Sequence, residues 1–296
     1  MSDVAIFWDP KGMELDSLRS KRYLRATDGD TPYISVSIRM LSIDTPEVHY
    51  PGNSKPSRQD DNLRQLAKWI KDGIAPVDSE LGDYLYPKLA SGKAGSLQEE
   101  QGKKATEVFK GLVEEKLSRP GSKKKRSVFL RVADQPFDRY GRLLAYMAPN
   151  YKKDERSSMT PKERGTFNLL MVETGWAAPF PIYPNLPKHS DLVLFQATAQ
   201  EAYEEKRGGW GDHLTLAGYE FRMCVRLYET TRKLIKGRKL SDTEKSSWVT
   251  RFCVDVTTRR VYYPQQYYKV KPYNRIFIWP EDVREAVGML NLLPSG

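Results

Sequence analysis

Apolar residues alternate through Ile34, Val36, Ile38 and Met40, and the pattern halts at Thr45-Pro46. A period of two is the mark of a strand with one face covered. Pro46 has no N–H and holds Thr45 extended, so the strand must stop there. The stretch Arg39 to Glu47 reads RMLSIDTPE. The strand therefore delivers Asp44 to its tip, and the turn brings Glu47 back toward the same mouth. A rigid element that presents two carboxylates at fixed separation is a scaffold for chemistry. Alternation alone sends Arg39 and Ile43 to one face and Met40 and Asp44 to the other, unless a bulge or barrel curvature re-aims one of them. Taken singly, an arginine and a few acidic turn residues are ordinary surface pairs.

The rest of the chain supplies strands and helices in alternation. Arg22 to Ala26 predicts a strand that ends in the turn Asp28-Gly29-Asp30-Thr31. Residues 49–59 are loop by composition, and Asp61 to Lys71 predicts a helix with Leu63, Leu66, Trp69 and Ile70 on one face. Residues 73–96 carry few periodic apolar positions and resemble an irregular insertion. Ser96, with Glu99 three residues on, predicts a capping box and a helix to about Lys116. Strands are expected over Val128–Val132 and Leu143–Met147, joined by the turn Asp138-Arg139-Tyr140-Gly141-Arg142. A polar loop over 150–165, a short helix ending at Gly175 and a helix from Ser190 to about Arg207 follow. Phe221 to Leu227 reads as strand or helix. Beyond it, strands at Trp248–Val256, Val261–Tyr263 and Ile276–Trp279 precede a helix over Glu281–Leu290 that Pro280 can begin. Near the N-terminus, Val4 to Trp8 is an apolar stretch followed by a turn at Asp9-Pro10-Lys11-Gly12.

The 296 residues carry a formal net charge of +10, which favours acidic partners, nucleic acid first among them. Residues 207–296 hold 16 Lys/Arg against 9 Asp/Glu, so most of the surplus sits at the C-terminal end. Cys224 and Cys253 lie in apolar segments and read as buried free thiols rather than a disulfide. His49, His189 and His213 are too scattered for a zinc motif. The N-terminus MSDVAIFWDPKG has no basic head followed by an apolar run, so it does not read as a secretion signal as it stands, and no apolar run approaches membrane-spanning length; the expectation is a cytoplasmic protein that does not enter a membrane, unless a leader was removed.

One chemistry uses these residue types together. Hydrolysis of a phosphodiester passes through a trigonal-bipyramidal, doubly charged transition state, and arginine offers it a rigid fork of donors. A carboxylate such as Glu47 can orient or deprotonate the attacking water. A hard divalent cation seeks several oxygen ligands. Arg39 and Arg142 can serve as forks, and Asp30, Asp44 and the Thr45 carbonyl as ligands.

Three motifs in order, Asp28-Gly29-Asp30-Thr31, then Arg39 through Asp44-Thr45-Pro46-Glu47, then Asp138-Arg139-Tyr140-Gly141-Arg142, resemble those of the staphylococcal nuclease-like (thermonuclease) family. The resemblance covers roughly residues 20–211. It implies an α+β fold, an OB-like five-stranded barrel with packed helices. It also implies a calcium-dependent endonuclease on DNA and RNA that leaves 3′-phosphate and 5′-hydroxyl ends. Carried across, Glu47 is the general base, and Arg39 and Arg142 clamp the phosphate. Asp30 and Asp44 hold calcium, or another hard divalent cation, with the Thr45 carbonyl. Tyr140 and Tyr183 line the nucleotide pocket, with Asp138 beside them in the substrate site.

One departure bears on the metal. Relatives place a hairpin between the first two motifs, whereas here only Pro32 to Ile38 intervene. A straight strand from Tyr33 to Ile43 would be about 30 Å long and would hold Asp30 far from Asp44. Either a tight turn after Thr31 folds the chain back or Asp30 is displaced. The expected organisation is a nuclease-like domain over 1–211 with an insertion at about 49–96, and a small basic α+β domain over 212–296. The latter interleaves Arg259, Arg260, Lys269, Lys271 and Arg275 with Tyr262, Tyr263, Tyr267, Tyr268, Tyr273, Phe277 and Trp279. Such a mixture suits base stacking with phosphate attraction, a small core with solvated cations, or a docking surface for a partner or second copy. Alternatives to the enzyme are a barrel that binds nucleic acid without turnover, and a nuclease subunit of a larger assembly.

Overall fold

The computed structural model describes Leu18 and residues 20–293. The apolar stretch at Val4–Trp8 and the turn at Asp9–Gly12 lie outside the described residues. The chain divides into two compact units, one of residues 1–39 with 132–145 and one of residues 40–131 with 146–296.

In the first unit, β1 (Tyr23–Ala26) and β2 (Pro32–Ile34) form an antiparallel pair. The Asp-Gly-Asp-Thr turn between them is closed by the Thr27 N–H donating to the Thr31 carbonyl at 3.1 Å. This is the turn expected at Asp28–Thr31, and β2 begins directly after it at Pro32. The single long strand expected from Tyr33 to Ile43 is not formed. β2 ends at Ile34, and β3 (Ile38–Met40) and β4 (Ile43–Asp44) are separate short strands.

The break between β3 and β4 has a specific cause. Ser42 takes a left-handed conformation, φ 59°, and its hydroxyl meets the Tyr146 hydroxyl at 2.5 Å. The wholly buried Asn168 donates to the Leu41 carbonyl at 2.8 Å and accepts from the Met147 N–H at 3.0 Å. Period-two bookkeeping cannot run through such a kink, so the facing of Asp44 is set by the turn at 41–42.

β5 (Val128–Phe137) and β6 (Leu143–Pro149) complete a three-stranded sheet in the order β3–β6–β5. Among the described residues the remaining ladders are β1–β2, β4 with β7 (Ala178–Pro179), and a C-terminal sheet. The fold is α+β, and these ladders do not close into one five-stranded barrel.

Helices dominate the second unit. α1 (Asp60–Lys71) is followed by α2 (Ser79–Ala90), where sequence composition predicts an irregular insertion. Pro87 is tolerated in the last turn of α2, and Leu81, Leu85 and Leu89 supply a stripe that is wholly buried. α3 (Ala94–Leu117) begins two residues before the expected cap. Ser96 lies in its first turn, and the cap comes from another helix: Asp60 accepts from the Gly95 N–H at 2.7 Å, the Ser96 N–H at 3.0 Å and the Ser96 hydroxyl. Glu99 instead pairs with Lys103 and accepts from Ser57.

Further on, α4 (Lys153–Ser157) interrupts the polar segment, and α5 (Phe167–Glu173) and α6 (His189–Glu204) follow. α7 (Gly218–Ile235) resolves the strand-or-helix alternative at 221–227 in favour of helix. After α8 (Asp242–Ser246), a small sheet pairs β8 (Phe252–Asp255) with β9 (Val261–Tyr262) on one side and β10 (Arg275–Ile278) on the other, and α9 (Val283–Met289) closes the chain.

The main core draws on both ends of this unit. Leu63 and Leu66 of α1 and Leu81, Leu85 and Leu89 of α2 share it with Phe221, Cys224 and Leu227 of α7, and with Tyr267 and Phe277. Trp69 stacks on Tyr228 at 5.3 Å and Phe180 on Tyr219 at 4.7 Å. A buried ionic cluster runs through the same region, in which Glu220 accepts from Tyr84 at 3.0 Å and lies 3.6 Å from Arg275 and 3.9 Å from Lys88. Of the C-terminal aromatics, Tyr267 and Phe277 belong to the core, while Tyr263 and Trp279 are exposed. Cys224 and Cys253 are buried free thiols, and burial pushes the Cys253 thiol up to about 12. Among the described residues no helix is long and apolar enough to cross a membrane.

Leu66 has no exposed surface at the centre of this core. Leu66→Ala is expected to cost about 2–5 kcal/mol in urea unfolding, from lost transfer energy and the cavity left behind.

Candidate functional site

In the first unit, the turn at Asp138–Arg142 is organised by one carboxylate. Asp138 accepts from the Tyr140 N–H at 2.9 Å, the Arg142 N–H at 3.0 Å and the Arg142 Nε at 2.7 Å. Gly141, at φ 68°, lets the chain reverse in so few residues. Burial raises the Asp138 pKa, but the Arg142 backbone and side-chain donors outweigh it and hold the carboxyl below its ordinary value. Arg142 is thus fixed while its side chain stays 39 % exposed. Tyr140 is half-exposed between two cations: Arg142 lies 5.3 Å and Arg139 4.9 Å from its ring centre. The group is an exposed ring flanked by guanidinium donors, a combination suited to a nucleotide. Arg39 is half-buried on β3, and Asp30 is exposed at the β1–β2 turn, where it accepts from the Thr31 hydroxyl at 3.0 Å.

In the second unit, Asp44, Thr45 and Glu47 are held between two helices. From α3, Gly102 packs so closely that a side-chain carbon there would lie 2.8 Å from the Glu47 carbonyl. In the amide orientation that satisfies both bonds, Gln98 accepts from the Glu47 N–H at 2.8 Å and donates to the Leu216 carbonyl at 3.1 Å. From α7, Gly218 covers the opposite side, and a Cβ on it would lie 2.4 Å from the Thr45 carbonyl oxygen and 2.6 Å from Asp44 Oδ2.

One turn further along α7, Arg222 reaches both carboxylates. Its Nη2 donates to both oxygens of Asp44 at 3.0 Å each, and its Nη1 donates to Glu47 Oε1. Asp44 is 1 % exposed, Glu47 24 % and Arg222 18 % in their side chains. Burial alone would lower the Arg222 pKa, but the Asp44 and then the Glu47 charge more than offset it and hold the guanidinium above its usual value. Arg251 stands close by, 4.7 Å over Phe180 and 4.9 Å over Trp279. Burial, and next the Arg222 charge, bring the Arg251 pKa down to about 10.

Tyr183 lies elsewhere in the second unit. It is 6 % exposed, packs with Val254, Val261, Ile276 and Ile278, and donates to Glu285 at 2.8 Å. The described residues thus bring Asp138, Tyr140 and Arg142 together in one unit, and Asp44, Thr45 and Glu47 together in the other. They also add Arg222, which sequence reasoning did not select. The spacing of Gly218 and Arg222 puts them on one helical face. Nothing in the sequence ties that face to residues 178 and 175 positions away. Among the described residues no three His, Cys, Asp or Glu side chains gather in a group that could hold a metal ion.

Two outcomes follow from this geometry. Gly218→Ala forces a carbon onto the Thr45 carbonyl, and is expected to lower stability by about 1–3 kcal/mol in thermal unfolding. Asp138→Asn removes a carboxyl whose folded pKa is depressed, so its stabilisation is complete above the unfolded value of 3.8 and disappears as pH falls through the folded value. The variant is therefore expected to melt below the wild type at neutral pH, with the gap closing in acid.

Comparison with known proteins supports the family resemblance. The profile of the family "Staphylococcal nuclease homologue" matches residues 37–212. That range contains Arg39, Asp44, Thr45, Glu47, Asp138, Tyr140, Arg142 and Tyr183, and leaves out Asp30 and Arg222. A relative, "Endonuclease YhcR" of Bacillus subtilis (strain 168), is 24 % identical over 187 residues, which is 63 % of this chain and 12 % of that protein's length. The chain therefore spans about an eighth of that relative. Because the family profile takes in more than half of the chain, the chain belongs to the staphylococcal nuclease homologue family.

Proposed function

We propose that the protein is an endonuclease that hydrolyses phosphodiester bonds of nucleic acid, DNA, RNA or both. The observation that carries this reading is the family match over residues 37–212, which contains the arginines, the general-base candidate and the exposed tyrosine in one matched stretch. The net charge of +10 favours a polyanionic substrate. Under this reading residues 1–211 form the nuclease region, with the basic residues 212–296 as a second region.

Each role follows from chemistry. Glu47 takes a proton from the attacking water, whose oxygen bonds to phosphorus as the bond to the 5′-oxygen breaks and that oxygen takes up a proton from solvent. The products are a 3′-phosphate and a 5′-hydroxyl. Arg39 and Arg142 donate to the non-bridging oxygens, where charge accumulates in the transition state. Asp138 keeps Arg142 aimed through its bond to Nε. Tyr140 offers its exposed ring to a base, and Tyr183, bonded to Glu285, holds the segment after β7. The family resemblance also implies calcium on Asp30, Asp44 and the Thr45 carbonyl. The residues present do not fit that ion: both Asp44 oxygens accept from Arg222, and Gly218 backs onto Asp44 and the Thr45 carbonyl.

The test is cleavage of labelled single- and double-stranded DNA and RNA, with end analysis of the products. Wild type is expected to cut, Glu47→Gln to be inactive, and Arg39→Ala and Arg142→Ala each to lose about 10²–10³-fold in kcat, the loss that follows removal of one oxyanion donor. Salt-sensitive binding with no cutting under any condition would leave a nucleic-acid-binding barrel without turnover.

A further inference from the structure

We propose that Arg222 is a built-in cation at the Asp44–Glu47 carboxylates, taking the place of a divalent ion, so that this centre works without one. The proposal rests on the nuclease reading for its catalytic consequence, but its structural content stands by itself. A guanidinium has the charge and the planar donor fork that two carboxylates can share. Arg222 uses that fork in full, with Nη2 on both oxygens of Asp44 and Nη1 on Glu47. The third candidate ligand, the Thr45 carbonyl, is covered by Gly218 on the same helix, with no room for a methyl group between them.

The helix that carries Arg222 is anchored. Its neighbours on α7, Phe221, Met223, Cys224, Val225 and Leu227, are buried in the main core. Withdrawing the helix to admit an ion would expose that core. The surroundings also oppose a second cation. Arg251 feels the charges of both Arg222 and Asp44, so a second guanidinium already stands near this carboxylate. A divalent ion would face their repulsion and would compete for oxygens already bonded.

Arg222 thereby acts as a positioning residue. It orients the Glu47 carboxylate and balances Asp44, which is out of water. The chemistry it leaves to Glu47 is proton acceptance from water. Arg222 lies beyond the matched range of 37–212, so a segment outside the family's own boundary completes its centre.

The experiment measures thermal unfolding and nucleic-acid cleavage of the full chain in EDTA, in millimolar calcium and in millimolar manganese, for wild type, Arg222→Gln and Arg222→Lys. Wild type is expected to melt at the same temperature and to cleave at the same rate, within about twofold, in all three. Arg222→Gln opens the carboxylates, so calcium is expected to raise its Tm by about 3–6 °C and to restore cleavage lost in EDTA. Arg222→Lys keeps the charge, and is expected to stay indifferent to calcium while losing part of the rate with the bidentate fork. A role confined to stability would create no metal response in Arg222→Gln. Wild-type protein that calcium stabilises, or whose cleavage stops in EDTA, overturns the proposal, as does a folded Arg222→Gln that cleaves like wild type in EDTA. If Arg222→Gln does not fold, the wild-type and Arg222→Lys comparison decides. If no variant cleaves anything, the nuclease reading fails while the melting data still decide the cation.

Discussion

The contact of Arg222 with Asp44 and Glu47 is the interaction on which the second unit's centre depends. Asp44 is almost wholly buried, and an ionised carboxylate out of water needs both charge and hydrogen bonds. Arg222 supplies both, and it can do so because α7 is seated in the apolar core by its flanking residues. The dependence is mutual: a guanidinium this sheltered would itself be costly without the two carboxylates. Gly218, one turn before, is the close-packing complement that lets the helix approach the loop.

The loop that carries Asp44 to Glu47 gains its precision from neighbours and not from its own bonds. The Ser42 kink is held by Tyr146 and Asn168, the Glu47 backbone by Gln98, and the approach of α3 by Gly102. Positioning through packed helices is more exact than positioning by a free turn. The turn at Asp138–Arg142 uses the opposite strategy. It is local, since one carboxylate gathers three donors within five residues and presents Arg142 and Tyr140 from a self-contained frame. That difference explains why the second turn is easy to read and the first is not.

Much of the element order was legible in the sequence. The strands at 23–26 and 143–149, the helix at 60–71, the short helix before Gly175 and the closing helix all fall where periodicity and turn chemistry put them. Three features were not. The run from Tyr33 to Ile43 read as one strand, but it breaks after Ile34 and again at residues 41–42, where buried Asn168 and Tyr146 hold a kink from more than a hundred residues away. Residues 73–96 looked irregular because the stripe of Leu81, Leu85 and Leu89 is short and contains Pro87. Ser96 looked like a cap, yet Asp60 of a different helix does the capping. Local signals describe local bonds, and each of these was settled by a distant partner.

The sequence by itself determined the family and the order of the motifs that resemble it. It could do so because these are carried by contiguous stretches such as Asp44-Thr45-Pro46-Glu47 and Asp138-Arg139-Tyr140-Gly141-Arg142. Only the tertiary structure decided which cation meets Asp44 and Glu47. That pairing is made by a helix 178 residues downstream of Asp44, and the burial of α7 in a shared core, which no local pattern encodes, is what brings Arg222 to it.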